Sequence, residues 1–262
     1  MKKILFAASE AVPFIKTGGL ADVTGSLPKY FDRKKYDVRI ILPKYLCMDE
    51  RFKGQLHFKC HFYVNLSWRK QYAGIFETKQ DGITYYFVDN EFYFAGDKPY
   101  NELYQDIEKF AYFSKAVLEA LPFLDFCPDI IHCHGWMTAL APLYIKKAYK
   151  DEPSFRDAKV VFSVFEDDFK ESFNADFVNR LVLKGVTKKD VAHLKAPVDY
   201  ATLCKLAIDY ADGIIQQSEK VNEEVMEYAR QSGKPILEYQ TPETFADACN
   251  EFYDRVWETE QK

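Results

Sequence analysis

One stretch confines this chain more than any other. An apolar run, Ile4-Leu5-Phe6-Ala7-Ala8, leads to Lys16-Thr17-Gly18-Gly19, and then Leu20, Val23, Leu27 and Phe31 recur at helical spacing. The run reads as a buried strand and the recurrence as a helix with one apolar face. The glycine pair therefore falls at a strand-to-helix turn. Such a turn in an α/β sheet offers backbone N–H groups and the positive end of a helix to an anion. Gly18 and Gly19 are expected to let a ligand approach the backbone, and they allow positive φ. Lys16 is placed to set a point charge on a phosphate. No GxGxxG or GKS/T pattern is present, so spacing alone fits an ordinary tight turn with a solvated lysine equally well.

The following residues extend the pattern. Tyr36 to Leu42 reads as a second buried strand that Pro43 ends. Strand, helix and strand in this order make a βαβ unit with a right-handed crossover. Leu56 to Leu66 partly alternates, with Phe58, Cys60, Phe62 and Val64 expected on one face. Lys70 to Thr78 and Ile83 to Val88 read as further strands joined by a Gln80-Asp81-Gly82 turn. Glu91 to Asp106 reads as a loop rich in Tyr, Phe and Asn. Its aromatics fit either a packed surface loop or the flank of a bound ligand. Glu108 to Leu121 is expected as an amphipathic helix. Asp129 to His134 is expected as a strand, Met137 to Tyr149 as a helix and Val160 to Phe165 as a strand. Asp167 to Pro197 is polar and weakly periodic. Val198 to Tyr210 reads as a helix and Gly213 to Gln217 as a strand. Ser218 is expected to cap a helix from Glu219 to Gln231 that Gly233 ends. Pro235 to Tyr239 and a helix capped by Thr241 and ending near Trp257 close the chain. The alternation predicts one doubly wound, Rossmann-like parallel sheet over residues 1–262 with an antiparallel hairpin insertion.

Composition narrows the partners. A chain of 262 residues can bury a proper core, and 48% hydrophobic with 29% charged residues is a globular mix. The net charge of −5 comes with no block of like charge, which argues against nucleic acid or an anionic membrane as the main partner. No apolar stretch reaches the ~18–20 residues that span a bilayer. Met1-Lys2-Lys3 runs straight into the first strand without a signal-peptide layout, so a cytoplasmic location is expected. Six scattered cysteines with no CxxC pair predict neither a disulfide frame nor a zinc site.

The wording from Ser9 to Val23, Ser-Glu-Ala-Val-Pro-Phe-Ile-Lys-Thr-Gly-Gly-Leu-Ala-Asp-Val, closely resembles the N-terminal signature of bacterial glycogen synthases and plant starch synthases. The likeness continues at Tyr86-Phe87-Val88-Asp89-Asn90 and is strongest over residues 1–220. It implies the N-terminal half of a two-Rossmann-domain (GT-B type) glycosyltransferase. The implied activity moves glucose from ADP-glucose to an α-1,4-glucan with retention, and no cofactor or metal is implied. By resemblance, Lys16 contacts the donor phosphates, Thr17, Gly18 and Gly19 shape the loop, and His134 and Trp136 belong to the pocket.

Other positions depart from that pattern. His132-Cys133-His134-Gly135-Trp136-Met137-Thr138 carries Gly135 where the family has an aspartate, and Met137 where it has a polar residue. Val161-Phe162-Ser163-Val164-Phe165-Glu166 carries Phe165 for the histidine that contacts the donor glucose and Glu166 for an asparagine. A phenyl ring cannot hydrogen-bond a hydroxyl as an imidazole does, and losing one such group at a transition state commonly costs ~10²–10³ in rate. Glu166, Asp167 and Asp168 fit either a solvated acidic loop or paired carboxylates for acid/base work. His132 and His134 are expected on opposite faces of their strand and hence as poor co-ligands for a metal. His132 is expected in the core or at the strand end, and His134 in the pocket.

The family's second Rossmann domain, which reads the nucleotide, has no counterpart expected in this chain. Two functions follow. In one, the chain transfers glucose once a partner glycosyltransferase domain or a second copy of itself completes the cleft. In the other, it is a non-catalytic module that binds glucan or nucleotide sugar. No catalytic residue is assigned.

Overall fold

The computed structural model describes residues 1–100, 103–166, 168–169, 172–173, 175–192, 194 and 197–258, with the backbone alone for 103–107 and 175. In chain order the elements are β1 (Lys2–Ala7), α1 (Gly19–Ser26), β2 (Tyr36–Pro43), α2 (Glu50–Lys53), β3 (His57–Leu66), β4 (Arg69–Gln80), β5 (Ile83–Asp89), α3 (Glu91–Phe94) and α4 (Leu103–Ala120). Then come β6 (Ile130–His134), α5 (Ala141–Lys146), β7 (Lys159–Val164), α6 (Ala175–Leu181), α7 (Tyr200–Tyr210), β8 (Gly213–Gln216), α8 (Glu223–Gln231), β9 (Ile236–Leu237) and α9 (Pro242–Glu258).

The strands form one nine-stranded sheet in the order β3-β4-β5-β2-β1-β6-β7-β8-β9. The ladder from β5 to β9 is parallel, and β4 runs antiparallel to both β3 and β5. This is the mostly parallel, Rossmann-like arrangement with a hairpin excursion that the alternation predicts. Chain order reverses between β1 and β6, which makes the carboxyl ends of those strands the switch point where such sheets bind ligands. At the hairpin, Asp81 and Gly82 both take positive φ, 52° and 77°, as a two-residue hairpin turn requires.

Alternation along the strands divides the core. Leu5, Ala7, Ile131, Cys133, Val160 and Phe162 face α4, α5, α7 and α8. Ile4, Phe6, Ile130, Val161 and Ile215 face α1 and α9. From α9, the residues Phe245, Cys249, Phe252, Tyr253 and Val256 cover that second face. Gly213 makes the approach possible: a Cβ there would lie 2.7 Å from Val256 Cγ2 and 2.8 Å from Phe252 Cζ.

Several local expectations need correction. Register slips between Phe58 and Cys60. This bulge turns Phe58 away from Phe62 and Val64 and leaves it 53% exposed against Phe76. The aromatic loop contains the short α3, capped by Asn90, and α4 starts at Leu103 rather than at Glu108. The helix expected from Met137 to Tyr149 is a 3₁₀ turn, Trp136–Thr138, followed by α5 with Pro142 in its first turn. α8 starts four residues later than expected. Its cap is Asn222, whose side chain accepts from the Val225 N–H, while Ser218 Oγ accepts from the Glu166 N–H at 3.1 Å.

Candidate active-site cleft at the strand ends

The loop that leaves β1 is tied down by Glu10, which is only 2% exposed. Its carboxyl accepts from the Thr17 N–H, from Thr17 Oγ1 at 2.7 Å and from the Tyr100 hydroxyl at 2.8 Å. The Tyr100 oxygen also lies 2.6 Å from Ser9 Oγ. A phenol has one proton, so with Tyr100 donating to Glu10 the serine donates to Tyr100. Burial and the neighbouring Glu10 raise the Tyr100 pKa, which keeps that proton in place. Backbone bonds from Val12 N to Ala21 O at 3.0 Å and from Ile15 N to Ala11 O at 3.1 Å complete the loop.

This frame presents Gly18 and Gly19 at the start of α1. Gly18 is extended, with φ −149° and ψ −170°, and no side chain caps the helix from that position. Neither glycine is among the positive-φ residues, so the freedom that glycine allows is not used here. Their reason is space. A Cβ on either would meet no atom within 4 Å, and both line the cleft.

The cleft has a volume of about 420 Å³. Glu10, Thr17, Gly18 and Gly19 form one wall, and Tyr100, Trp136, Phe165, Glu166 and Ser218 the other. Trp136 is held edge-on by Phe110 at 4.3 Å between ring centroids and leans on Tyr100 at 5.8 Å. The Tyr200 hydroxyl donates to the Phe165 carbonyl at 3.0 Å and fixes the end of β7. The structure thus brings Thr17, Gly18, Gly19, Trp136, Phe165 and Glu166 together.

Lys16 stands outside these walls. Its ammonium bonds both Asp22 oxygens at 2.7 Å, and each side chain is 53% exposed. A pair this exposed is worth ~0.2–1 kcal/mol, so it does not bar the lysine from a phosphate. Asp22 lies in the first turn of α1, where the helix dipole favours its charge.

His134 is not a wall of the cleft, which corrects its expected place. It is fully buried, as is His132, and the two rings stack with centroids 3.8 Å apart. Residues two apart in a strand share a face, and that overturns the expectation of opposite faces. The two histidines differ in their partners. His132 Nδ1 lies 2.6 Å from the Tyr253 hydroxyl and Nε2 lies 2.6 Å from Ser163 Oγ. Neither His134 nitrogen has a partner among the described residues. Burial pushes the His134 pKa down to about 3 and lowers that of His132 as well, with His134 adding to the latter. Both are neutral near pH 7. Gly135 has φ 73° and ψ 175°, a conformation open in practice to glycine alone. Met137 is buried, with Tyr45 Oη 3.7 Å from its sulfur.

The acidic run does not act as a unit. Glu166 is exposed beside the cleft, Asp168 accepts from Asn222 Nδ2 at 2.8 Å, and Asp167 lies outside the described residues. Glu10 and Tyr100 are the residues that sequence reasoning left without a role in the site, and Ser218 is one it assigned to a helix cap instead. A polar residue directly after a buried strand was the available signal for Glu10. Nothing local marks Tyr100, whose partners are ninety positions away in the chain.

Comparison with known proteins identifies the family. Residues 3–237 match the model of the starch synthase catalytic domain. The glycogen synthase of Lachnospira eligens is 47% identical over 236 residues, which is 86% of this chain and 47% of that protein. The glycogen synthase of Lachnoclostridium phytofermentans is 53% identical over 170 residues, 65% of this chain and 36% of that protein. The catalytic domain of starch synthase IV from Arabidopsis thaliana, bound to ADP and acarbose, superposes with a TM-score of 0.75 at 22% identity. That match covers 91% of this chain and 51% of that one, and it speaks for the fold. The chain spans about half the length of the curated relatives it matches. On the family match and these identities, the chain belongs to the starch synthase catalytic domain family, with glycogen synthases among its relatives.

Proposed function

We propose that this chain is the Rossmann unit that supplies the Gly18-Gly19 loop and one wall of the cleft to a cytoplasmic α-1,4-glucan synthase. In this reading ADP-glucose lays its phosphates across the uncapped start of α1, and Lys16 exchanges Asp22 for them. Glucose then passes to the end of a glucan lying against Tyr100 and Trp136. The observation that carries the reading is the open space above both glycines, held in place by the Glu10, Thr17 and Tyr100 hydrogen bonds. A backbone approach of this kind is what a phosphate at a helix start requires. Among the described residues the cleft walls include no lysine, arginine or histidine. In this reading, charge neutralisation beyond Lys16 comes from a second nucleotide-binding unit, either a partner domain or another copy of this chain.

A second reading has its own support. Phe165 fills the position where the resemblance puts a sugar-binding histidine, and Gly135 the position where it puts an aspartate. A cleft built this way suits a module that binds glucan or nucleotide sugar without turnover. One experiment separates the two. Labelled glucose transfer from ADP-glucose to a maltooligosaccharide is measured for the full chain and for Lys16→Ala, beside calorimetric binding. Turnover lost in Lys16→Ala supports the synthase. Binding without turnover supports the module, and absence of both overturns each.

A further inference from the structure

The segments that follow α4 and α5 lie at the amino ends of β6 and β7, the opposite end of the sheet from the cleft. A groove of about 220 Å³ opens there, and it shares no residue with the cleft. Two aromatic pairs line it. Phe62 of β3 and Phe123, just after α4, stack with ring planes 3° from parallel and centroids 5.2 Å apart. Tyr149 and Phe155, both after α5, meet at 6.1 Å and 58°. Phe62 and Phe155 are buried, whereas Phe123 is 56% exposed. An aromatic face carries negative charge density and attracts a cation.

Charge points the same way. Among the described residues the charged groups of the lining are two carboxylates, Glu119 and Glu152. The Tyr149 hydroxyl donates to Glu119, and the buried Lys115 sets its ammonium 3.5 Å from that carboxylate and 5.3 Å from the Tyr149 ring centre. The fold thus already satisfies one cation with this ring and this acid. Glu152 has no such cation among the described residues. Ser154 donates to its Oε1 from the N–H at 3.3 Å and from Oγ at 3.1 Å, which fixes the carboxylate and leaves Oε2 for an incoming donor. A guanidinium suits this place better than an ammonium. It is planar, stacks on an aromatic face and meets a carboxylate through two parallel N–H bonds, whereas an ammonium is a compact and strongly hydrated point charge. The net charge of −5 draws basic partners toward the chain.

We propose that this groove docks an arginine side chain of a partner protein, with its guanidinium stacked on Phe123 and paired with Glu152. A partner held here leaves the cleft at the other end of the sheet accessible, and the proposal does not depend on what the cleft binds. The test titrates N-acetyl-glycyl-arginyl-glycinamide into the full chain and follows the phenylalanine ring-proton NMR signals. Its lysine and citrulline counterparts are titrated in the same way, as are the variants Phe123→Ala and Glu152→Gln. The arginine peptide is expected to shift ring signals that Phe123→Ala removes. Binding is expected to weaken at least ~threefold in each variant and with each counterpart peptide, the size of an exposed cation–π contact. Citrulline keeps the shape of arginine without its charge, so equal binding of the citrulline peptide overturns the proposal. So do equal binding of the lysine peptide, equal binding to the two variants, and no binding of the arginine peptide up to ~10 mM. A chain that self-associates in sedimentation and returns to a monomer in Phe123→Ala overturns it as well, because a second copy then fills the groove. Phe123 is exposed and Glu152 half-buried, so both variants are expected to fold, which circular dichroism checks.

Discussion

At the residue scale the two buried histidines show how partners, rather than burial, set the worth of a polar group. His132 has the Tyr253 hydroxyl and Ser163 Oγ on its two nitrogens, and it ties β6 to β7 and α9. His134, two residues on and stacked against it, has neither. Removing one side of a satisfied buried pair strands the other, at ~1–3 kcal/mol. Tyr253→Phe is therefore expected to lower unfolding stability by about that amount at pH 7. His134→Phe, which removes two unpartnered nitrogens and keeps an aromatic ring among Phe6 and Phe165, is expected to be neutral or stabilising. Urea unfolding of both variants checks the order. A His134→Phe loss larger than that of Tyr253→Phe would show that the unpartnered ring matters to the core in another way.

At the element scale the loop after β1 and the start of α1 behave as one piece, and their glycines separate two roles. A Cβ on Gly25 would lie 2.3 Å from the Val12 carbonyl oxygen and 2.5 Å from Val12 Cγ2. Alanine favours a helix by up to ~1 kcal/mol over glycine, but overpacking of this kind costs ~1–3 kcal/mol or more. Gly25→Ala is expected to lose stability on balance and to push the loop off the helix. Gly18→Ala places its methyl in open space, so stability is expected to hold within ~0.5 kcal/mol, as at unconstrained surface positions. On the proposed synthase reading it is expected to weaken ADP-glucose binding, because that reading brings the phosphate into the same space. Thermal unfolding together with calorimetry of both variants tests this, and a Gly18→Ala more destabilised than Gly25→Ala contradicts it.

The same stretch shows how far sequence carries. Apolar runs located β1, β2, β6, β7 and β8 because a strand buried on both faces needs them. Asp81-Gly82 located the hairpin because both positions must take positive φ. The glycine loop was legible, though its backbone conformation was not. Side chains that meet from distant parts of the chain, such as Glu10 with Tyr100 or His132 with Tyr253, leave no local period. Ser218 and Asn222 are both good cap residues, and only the direction of the chain after β8 decides between them. The bulge at Phe58 inverts a face that simple alternation assigned correctly at Phe62 and Val64.

At the scale of the whole molecule the central strand β6 carries the pH dependence. His132 and His134 sit between the sheet and α9, and both are held neutral by burial. Their folded pKa values are lowered, that of His134 to about 3, while an unfolded histidine titrates near ~6.5. Below the unfolded value the unfolded chain takes up protons that the fold refuses. The stability is therefore fully present above pH ~6.5 and is lost as pH falls from there toward the folded values. Each such histidine contributes up to ~1.4 kcal/mol per pH unit in that window, so two contribute on the order of 3 kcal/mol between pH 6.5 and 5. Carboxylates such as Asp190, whose pKa Lys147 and Thr187 hold down, lose their share only at lower pH, below the ordinary carboxylate range. Urea midpoints measured from pH 7.5 to 5 are expected to fall steeply below pH 6.5, and His134→Phe is expected to halve the slope. A midpoint that falls with only half the expected slope would mean that one of the buried rings takes a proton in the folded state. That proton would have to be shared within the His132, Ser163 and Tyr253 network, because no carboxylate is hydrogen-bonded to either ring among the described residues.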